Sequence, residues 1–269
     1  VTEGAVIADG TTTLNTATSV VVDNVDFAPG SGLTVDAGDS NPNVNVTDVT
    51  MQNDPDGADS GAISVDDAGD VTVQAITIEE AANGGVLVND GTSDLGAVTV
   101  EDVTVTDLAD AQIGVDVSAT NNISGNLSIN QVTVSGNDLT GDEGATGVNV
   151  DGIKTDDDNA YNVTNNTLTG LNDGTGLSES ESGDVVDEDG DVGTVLIEDN
   201  ELRGGSEFTG LLYDLPETFG AVVTDNTIVG ADVAGGAESV GIDVAGIVEA
   251  GLDEETVIGF PDPTDGPEF

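Results

Sequence analysis

A glycine followed by an alternating apolar pair returns along this chain at long, regular intervals. It stands as Gly32-Leu33-Thr34-Val35, Gly61-Ala62-Ile63-Ser64-Val65, Gly85-Val86-Leu87-Val88, Gly114-Val115-Asp116-Val117 and Gly147-Val148-Asn149-Val150. It continues at Gly176-Leu177, Gly210-Leu211-Leu212-Tyr213 and Gly241-Ile242-Asp243-Val244. The spacing runs from 24 residues (Gly61 to Gly85) to 34 residues (Gly176 to Gly210). A second apolar strand follows each glycine, as at Val44 to Val46, Val71 to Val73, Val98 to Val100 and Leu127 to Ile129. A third comes a few residues later, as at Val49 to Met51, Ile76 to Ile78 and Val103 to Val105. Alternation with period two points Val and Ile to one side of each strand, and Thr, Asp and Asn to the other.

Three short strands and three turns in each long period make one rung of a solenoid. A hairpin sandwich would show turns at about 8–12 residues with no longer period above them. The reading is therefore all-β, a right-handed parallel β-helix of about eight rungs over residues 1–250, followed by a Pro-rich tail at 251–269. Composition agrees with narrow stacked strands. Apolar residues make up 36% of 269, but aromatics only 3%, with no Trp. Such a core is built from Val, Ile, Leu and Ala.

Four later segments share a V-x-x-N-x-L-x-G pattern. They are Val134-Ser135-Gly136-Asn137-Asp138-Leu139-Thr140-Gly141, Val163-Thr164-Asn165-Asn166-Thr167-Leu168-Thr169-Gly170, Ile197-Glu198-Asp199-Asn200-Glu201-Leu202-Arg203-Gly204 and Val223-Thr224-Asp225-Asn226-Thr227-Ile228-Val229-Gly230. The pattern resembles the parallel β-helix repeat of pectate-lyase-like proteins, of NosD-type archaeal surface proteins and of phage tailspikes, over roughly residues 5 to 248. In that family the Asn sits at a bend and ladders with its neighbours. The resemblance implies this role for Asn137, Asn166, Asn200 and Asn226. The earlier repeats carry Val49, Ile76 and Val103 near the same point, which confines the ladder to the later half.

Charge is the second constraint. Fifty-four Asp and Glu oppose Lys154 and Arg203, a formal net charge of −52. In dilute buffer such repulsion opposes any compact state. At about 1 M salt the Debye length falls to roughly 3 Å and exposed carboxylates cease to feel one another. Disorder is the other reading of high acidity, but here the acids stand singly among β-branched residues rather than in blocks. The expectation is a protein of a halophile, of haloarchaeal type by its acidity. Nucleic acid is excluded as a partner, since phosphate neutralisation needs cations the chain lacks. Anionic membrane surfaces are excluded for the same reason. No apolar run reaches the ~18 residues of a membrane span.

The chemistry open to the chain is narrow. It has no His and no Cys, so no imidazole base, thiol nucleophile, disulfide or thiolate metal site. Lyases of the family that the repeat resembles use a basic residue and Ca²⁺; only Lys154 and Arg203 are available here, outside any lyase motif. Hydrolases of the family that the repeat resembles use clustered Asp with His and R-x-K partners. Asp66-Asp67 and Asp156-Asp157-Asp158 are present without those partners. No catalytic residue is assigned, no cofactor is required, and the chain reads as a non-enzyme, with a carbohydrate-active enzyme on acidic polysaccharide as the alternative. Asp184, Asp187, Asp189 and Asp191, with Glu188 among them, form an acid-dense loop whose hard oxygens suit Ca²⁺. A solvated acidic loop is the other reading, and Asp54 to Asp59 is a weaker candidate. N-x-[ST] sequons at Asn45, Asn122, Asn126, Asn162 and Asn165 are candidate glycosylation sites. Phe208, Tyr213 and Phe219 are the one aromatic concentration, read either as core filling at a widened rung or as a patch for a partner.

The ends supply the functional expectation. A solenoid end exposes unpaired backbone, so it is covered, continued in a longer chain, or stacked on the next copy. Head-to-tail stacking makes an open, fibre-forming contact. The expectation is an extracellular or cell-surface structural protein, a filament subunit or a stalk, whose partners are its own copies or neighbouring surface proteins. A viral tail fibre or adhesin, and contact with polysaccharide, remain beside it.

Overall fold

The computed structural model describes residues 5–7, 12–15, 19–36, 42–52, 63–81, 84–90, 95–109, 112–136, 144–153, 160–171, 175–180, 194–205, 208–214, 220–229, 240–245 and 257–258. All of its elements are β-strands. One sheet runs through β1 (Ala5–Ile7), β3 (Val20–Phe27), β5 (Val44–Gln52), β7 (Val71–Glu79) and β9 (Val98–Leu108). It continues through β11 (Leu127–Asn130), β14 (Ala160–Thr164), β17 (Thr194–Glu198), β20 (Gly220–Thr224) and β23 (Val257–Ile258). A branch leaves β9 through β12 (Thr133–Gly136), β15 (Thr167–Thr169), β18 (Glu201–Arg203) and β21 (Thr227–Val229).

Among the described residues the second sheet has nine strands. Its order is β2 (Thr12–Asn15), β4 (Leu33–Asp36), β6 (Ile63–Asp66), β8 (Val86–Asp90), β10 (Ile113–Ile123), β13 (Thr146–Ile153), β16 (Thr175–Ser180), β19 (Thr209–Asp214) and β22 (Val240–Ala245). The chain alternates between the sheets, and each strand pairs in parallel with its equivalent one pass later, as Val44 with Val71 and Val71 with Val98. This is a solenoid-like all-β fold. β23 lies inside 251–269 and pairs with β20, so the pairing continues past residue 250.

The alternation seen in sequence is the burial pattern. In β5, β7 and β9 the inward residues Val44, Val46, Val71, Val73, Val98 and Val100 are buried, while their neighbours face out. The inward side chains of both sheets fuse into one core of Val, Ile, Leu and Ala, joined by Met51, Tyr161 and Phe208.

A second device turns the first sheet through a corner. At this corner one residue per pass adopts a left-handed backbone: Asn24, Asp48, Ala75, Asp102, Gln131, Asn165, Asp199 and Asp225, all with φ of 51–56°. Register places these residues above one another. The left-handed residue inserts an extra outward position, visible as Thr47-Asp48 and Gln74-Ala75, so the residues on either side both stay inward. Most of the column is Asn or Asp, whose short polar side chains tolerate this backbone.

The recurring glycines form a column at the start of the second sheet's strands. A Cβ added to Gly114 would lie 2.7 Å from the carbonyl oxygen of Gly147 and 2.7 Å from the methyls of Val134. One added to Gly147 would lie 2.7 Å from the Gly176 oxygen, and one at Gly176 2.6 Å from the Gly210 oxygen. The passes approach too closely there for any side chain. Gly114→Ala is therefore expected to destabilise the fold by about 1–3 kcal/mol through overpacking, measured by denaturant unfolding at fixed salt.

Candidate functional site

The best-built polar feature is a stack of asparagines just inside the corner. In β5, β7 and β9 the strand runs through the bend unbroken, and the inward position after it is Val49, Ile76 and Val103. From β11 onward the strand is interrupted there, and the backbone N–H groups at the break need acceptors. Carboxamides supply them. Val132 N–H donates to Asn166 Oδ1 (2.9 Å), Asn166 N–H to Asn200 Oδ1 (3.0 Å) and Asn200 N–H to Asn226 Oδ1 (3.0 Å).

The amide nitrogens close the ladder. Asn166 Nδ2 donates to Asn200 Oδ1 (2.9 Å) and to the Ile129 carbonyl (3.2 Å). Asn200 Nδ2 donates to Asn226 Oδ1 (2.8 Å) and to the Val163 carbonyl (2.9 Å). Asn226 Nδ2 reaches the Ile197 carbonyl (2.8 Å) and the Thr224 carbonyl (2.9 Å). Asn166 and Asn200 are only 1% and 2% exposed, so a truncation would strand buried backbone donors.

Two corrections to the sequence reading follow. The position in register with Asn166 one pass earlier belongs to Val132, which meets the ladder through its backbone N–H. Val134 pairs with Leu168, which puts Val132, not Asn137, in register with Asn166; Asn137 itself lies outside the described residues. The pattern from Val134 to Gly141 invites an alignment five residues out of step with that register. The second correction concerns the bend itself: the left-handed residue is Asn165, Asp199 or Asp225, and the laddering Asn follows it.

A further polar device went unread in the sequence. At the start of the first sheet's strands, Asp70 Oδ1 accepts from Ala97 N–H (3.0 Å), and Asn126 Oδ1 accepts from Ala160 N–H (3.0 Å). Each ties one pass to the next. Single Asp and Asn residues just before an apolar run were the available signal, hidden among 54 acids.

The remaining candidates are distributed as follows. Asp184, Asp187, Asp189 and Asp191 lie outside the described residues, as do Asp54 to Asp59, Lys154, Asp156 to Asp158 and Phe219. Among the described residues no group of three or more acids is arranged to hold a metal ion. Of the sequon asparagines, Asn126 and Asn165 are exposed. Asn45 and Asn162 are half-buried on outward strand faces, and Asn122 lies in β10. The Asn165 Nδ2 donates to Asn130 Oδ1 (3.1 Å). Phe208 is fully buried against Gly176 and Gly204, so its ring fills the core and offers no surface to a partner. Tyr213 lies in β19, in register with Glu179 and Val244. Arg203 is exposed and paired with Glu201.

The acids of the strand faces are interleaved with neutral residues. Asp23 accepts from Thr47 Oγ1 (2.8 Å), Glu101 from Gln74 Nε2 (3.2 Å), Asp66 from Asn89 Nδ2 (3.0 Å) and Asp116 from Asn149 Nδ2 (2.9 Å). Asp66 also meets the opposite environment. Its carboxyl is pushed above the ordinary value, first by burial and then by Asp67, Asp36 and Asp90, with the Asn89 donor acting against them. Comparison with family models, curated proteins and solved structures returned no match.

Asn200→Ala removes the middle of the ladder and leaves the N–H of Asn166 without an acceptor. The expected loss is about 2–4 kcal/mol from several buried hydrogen bonds and an unsatisfied donor, read from urea unfolding against the same substitution at outward-facing Asn162. Asp66 sets a pH dependence. Because its folded pKa is raised, this contribution favours the fold below the unfolded carboxylate range of about 4 and is lost as pH rises through the raised value. Asp66→Asn should thus stabilise more at pH 7 than at pH 4, by no more than about 1 kcal/mol at this solvent-screened position. Paired denaturant titrations at one salt concentration check it.

Proposed function

We propose that this chain is a non-catalytic structural protein of a halophile, a right-handed parallel β-helix of about eight rungs that serves outside the cell. Its role is that of a rod, either a subunit of an end-to-end filament or a stalk at the cell surface. One observation supports this most: the polar groups placed with most care are spent on joining one pass of the chain to the next. The Asn166–Asn200–Asn226 ladder, the Asp70 and Asn126 bonds and the glycine column all act between neighbouring passes. A mechanical element needs that kind of investment, repeated along its length. The excess of carboxylates over Lys154 and Arg203 suits an exterior bathed in concentrated salt. Asparagine turns of the kind seen in the pectate-lyase-like and NosD-type repeat support the handedness and the family assignment.

Ca²⁺ at the Asp184 to Asp191 loop and glycans on the exposed sequon asparagines belong to the same reading and would add rigidity and protection. Electron microscopy of the protein purified in molar salt tests it. Straight rods joined end to end, or rods arrayed on envelope fragments, are expected, with no sugar ends released from acidic polysaccharides incubated alongside. Dispersed compact particles, trimers, or release of sugar ends would overturn the proposal.

A further inference from the structure

The parallel register sets each residue of a strand over its equivalent, about 4.8 Å away. In a chain of this charge, random filling would repeatedly place carboxylate on carboxylate. Among the register pairs of the described strands this happens once, at Asp36 and Asp66. Elsewhere on the strand faces acids meet donors or neutral side chains: Glu79 lies beside Gln52, Glu101 between Gln74 and Asn130, Asp116 between Leu87 and Asn149, and Glu198 between Thr164 and Thr224. At the corner Asp225 also follows Asp199 in the column, but both are exposed to solvent, whereas Asp36 and Asp66 are half-buried.

The exceptional step is also the most crowded. Asp36 ends β4 and Asp66 ends β6, both half-buried on the outward face beside buried Val35 and Val65. Asp67 follows at once in a left-handed conformation (φ 51°), with its N–H bonded to the Asn89 carbonyl (3.1 Å). Asp90, one residue beyond Asn89 on the next strand, is fully buried. Asn89 Nδ2 donates to Asp66 Oδ1 (3.0 Å).

We propose that the β4–β6–β8 step is a salt-dependent seam, the place where the solenoid loosens first when counter-ions are withdrawn. Interleaving lets the other steps tolerate dilution, because acids such as Glu101 and Asp116 face an amide that stabilises them at any ionic strength and none on those strand faces is set against its own charge. At Asp36–Asp66 two half-buried like charges face each other across one strand spacing; the Asn89 amide relieves Asp66 in part, and screening by ions relieves the repulsion between the pair. The seam makes sensitivity to salt local rather than a property of net charge.

The test compares isosteric substitutions that each remove one negative charge. The salt concentration at the midpoint of folding is measured for the wild type, Asp36→Asn, Asp66→Asn, the double variant, and the controls Glu101→Gln and Asp116→Asn. Either seam variant should lower the midpoint clearly, and the double variant should add little to either single one, since each removes the same repulsion. The controls should leave the midpoint near that of the wild type. Hydrogen exchange during stepwise dilution should show the Ile63 and Asp67 amides opening before those of β9 and β11. Equal shifts for all four single variants, additive shifts at Asp36 and Asp66, or simultaneous opening of every strand would overturn the seam.

Discussion

Everything in this molecule follows from stacking like over like. Once the chain repeats in parallel register, each position touches its own equivalent above and below at a distance of about 4.8 Å. A position then has to be compatible with itself. Val on Val and Ile on Val satisfy this easily in the core, and Thr on Thr does so outside, as along Thr50, Thr77, Thr104, Thr133 and Thr167. Glycine is required where backbones meet, at Gly114, Gly147 and Gly176. Asn is the polar residue that tolerates its own copy inside, because each carboxamide presents a donor to one neighbour and an acceptor to the other. A carboxylate does not tolerate its copy, and the strand faces are arranged accordingly.

The same constraint divides the chain into two styles. In β5, β7 and β9 the corner is spanned by an unbroken strand, so the backbone satisfies itself and an apolar residue suffices at Val49, Ile76 and Val103. Later the strand breaks at the corner, as between β14 and β15, and side-chain amides take over the hydrogen bonds the backbone no longer makes. Each style solves the problem of buried N–H groups. The ladder depends on three side chains being identical and intact.

Much of this was legible in the sequence because repetition amplifies it. The glycine column, the inward Val and Ile, and the change from Val to Asn at the corner can each be read from residues spaced one pass apart. The local pattern from Val134 to Gly141 imitates the repeat and aligns Asn137 with Asn166, while register is set by the whole strand and puts Val132 at that position. Phe208 was ambiguous because nothing local reveals that Gly176 and Gly204 clear space for its ring. The interleaving of acids was invisible for a related reason: Gln74 and Glu101, or Asn149 and Asp116, become neighbours only when the register is known. Activity left no comparable trace, since no residue type capable of imidazole or thiol chemistry occurs in the chain.

Register is therefore the claim on which the rest stands, and the absence of native cysteine makes it directly measurable. Paired cysteines at Thr77 and Thr104, which are register partners, should cross-link readily on mild oxidation of the folded protein in molar salt. Cysteines at Thr77 and Thr106 are offset by one alternation on the same outward face and should cross-link poorly. Rapid cross-linking of the in-register pair alone is the predicted result. Preferential cross-linking of the offset pair, or equal yields from both, would contradict the stacking described for this chain.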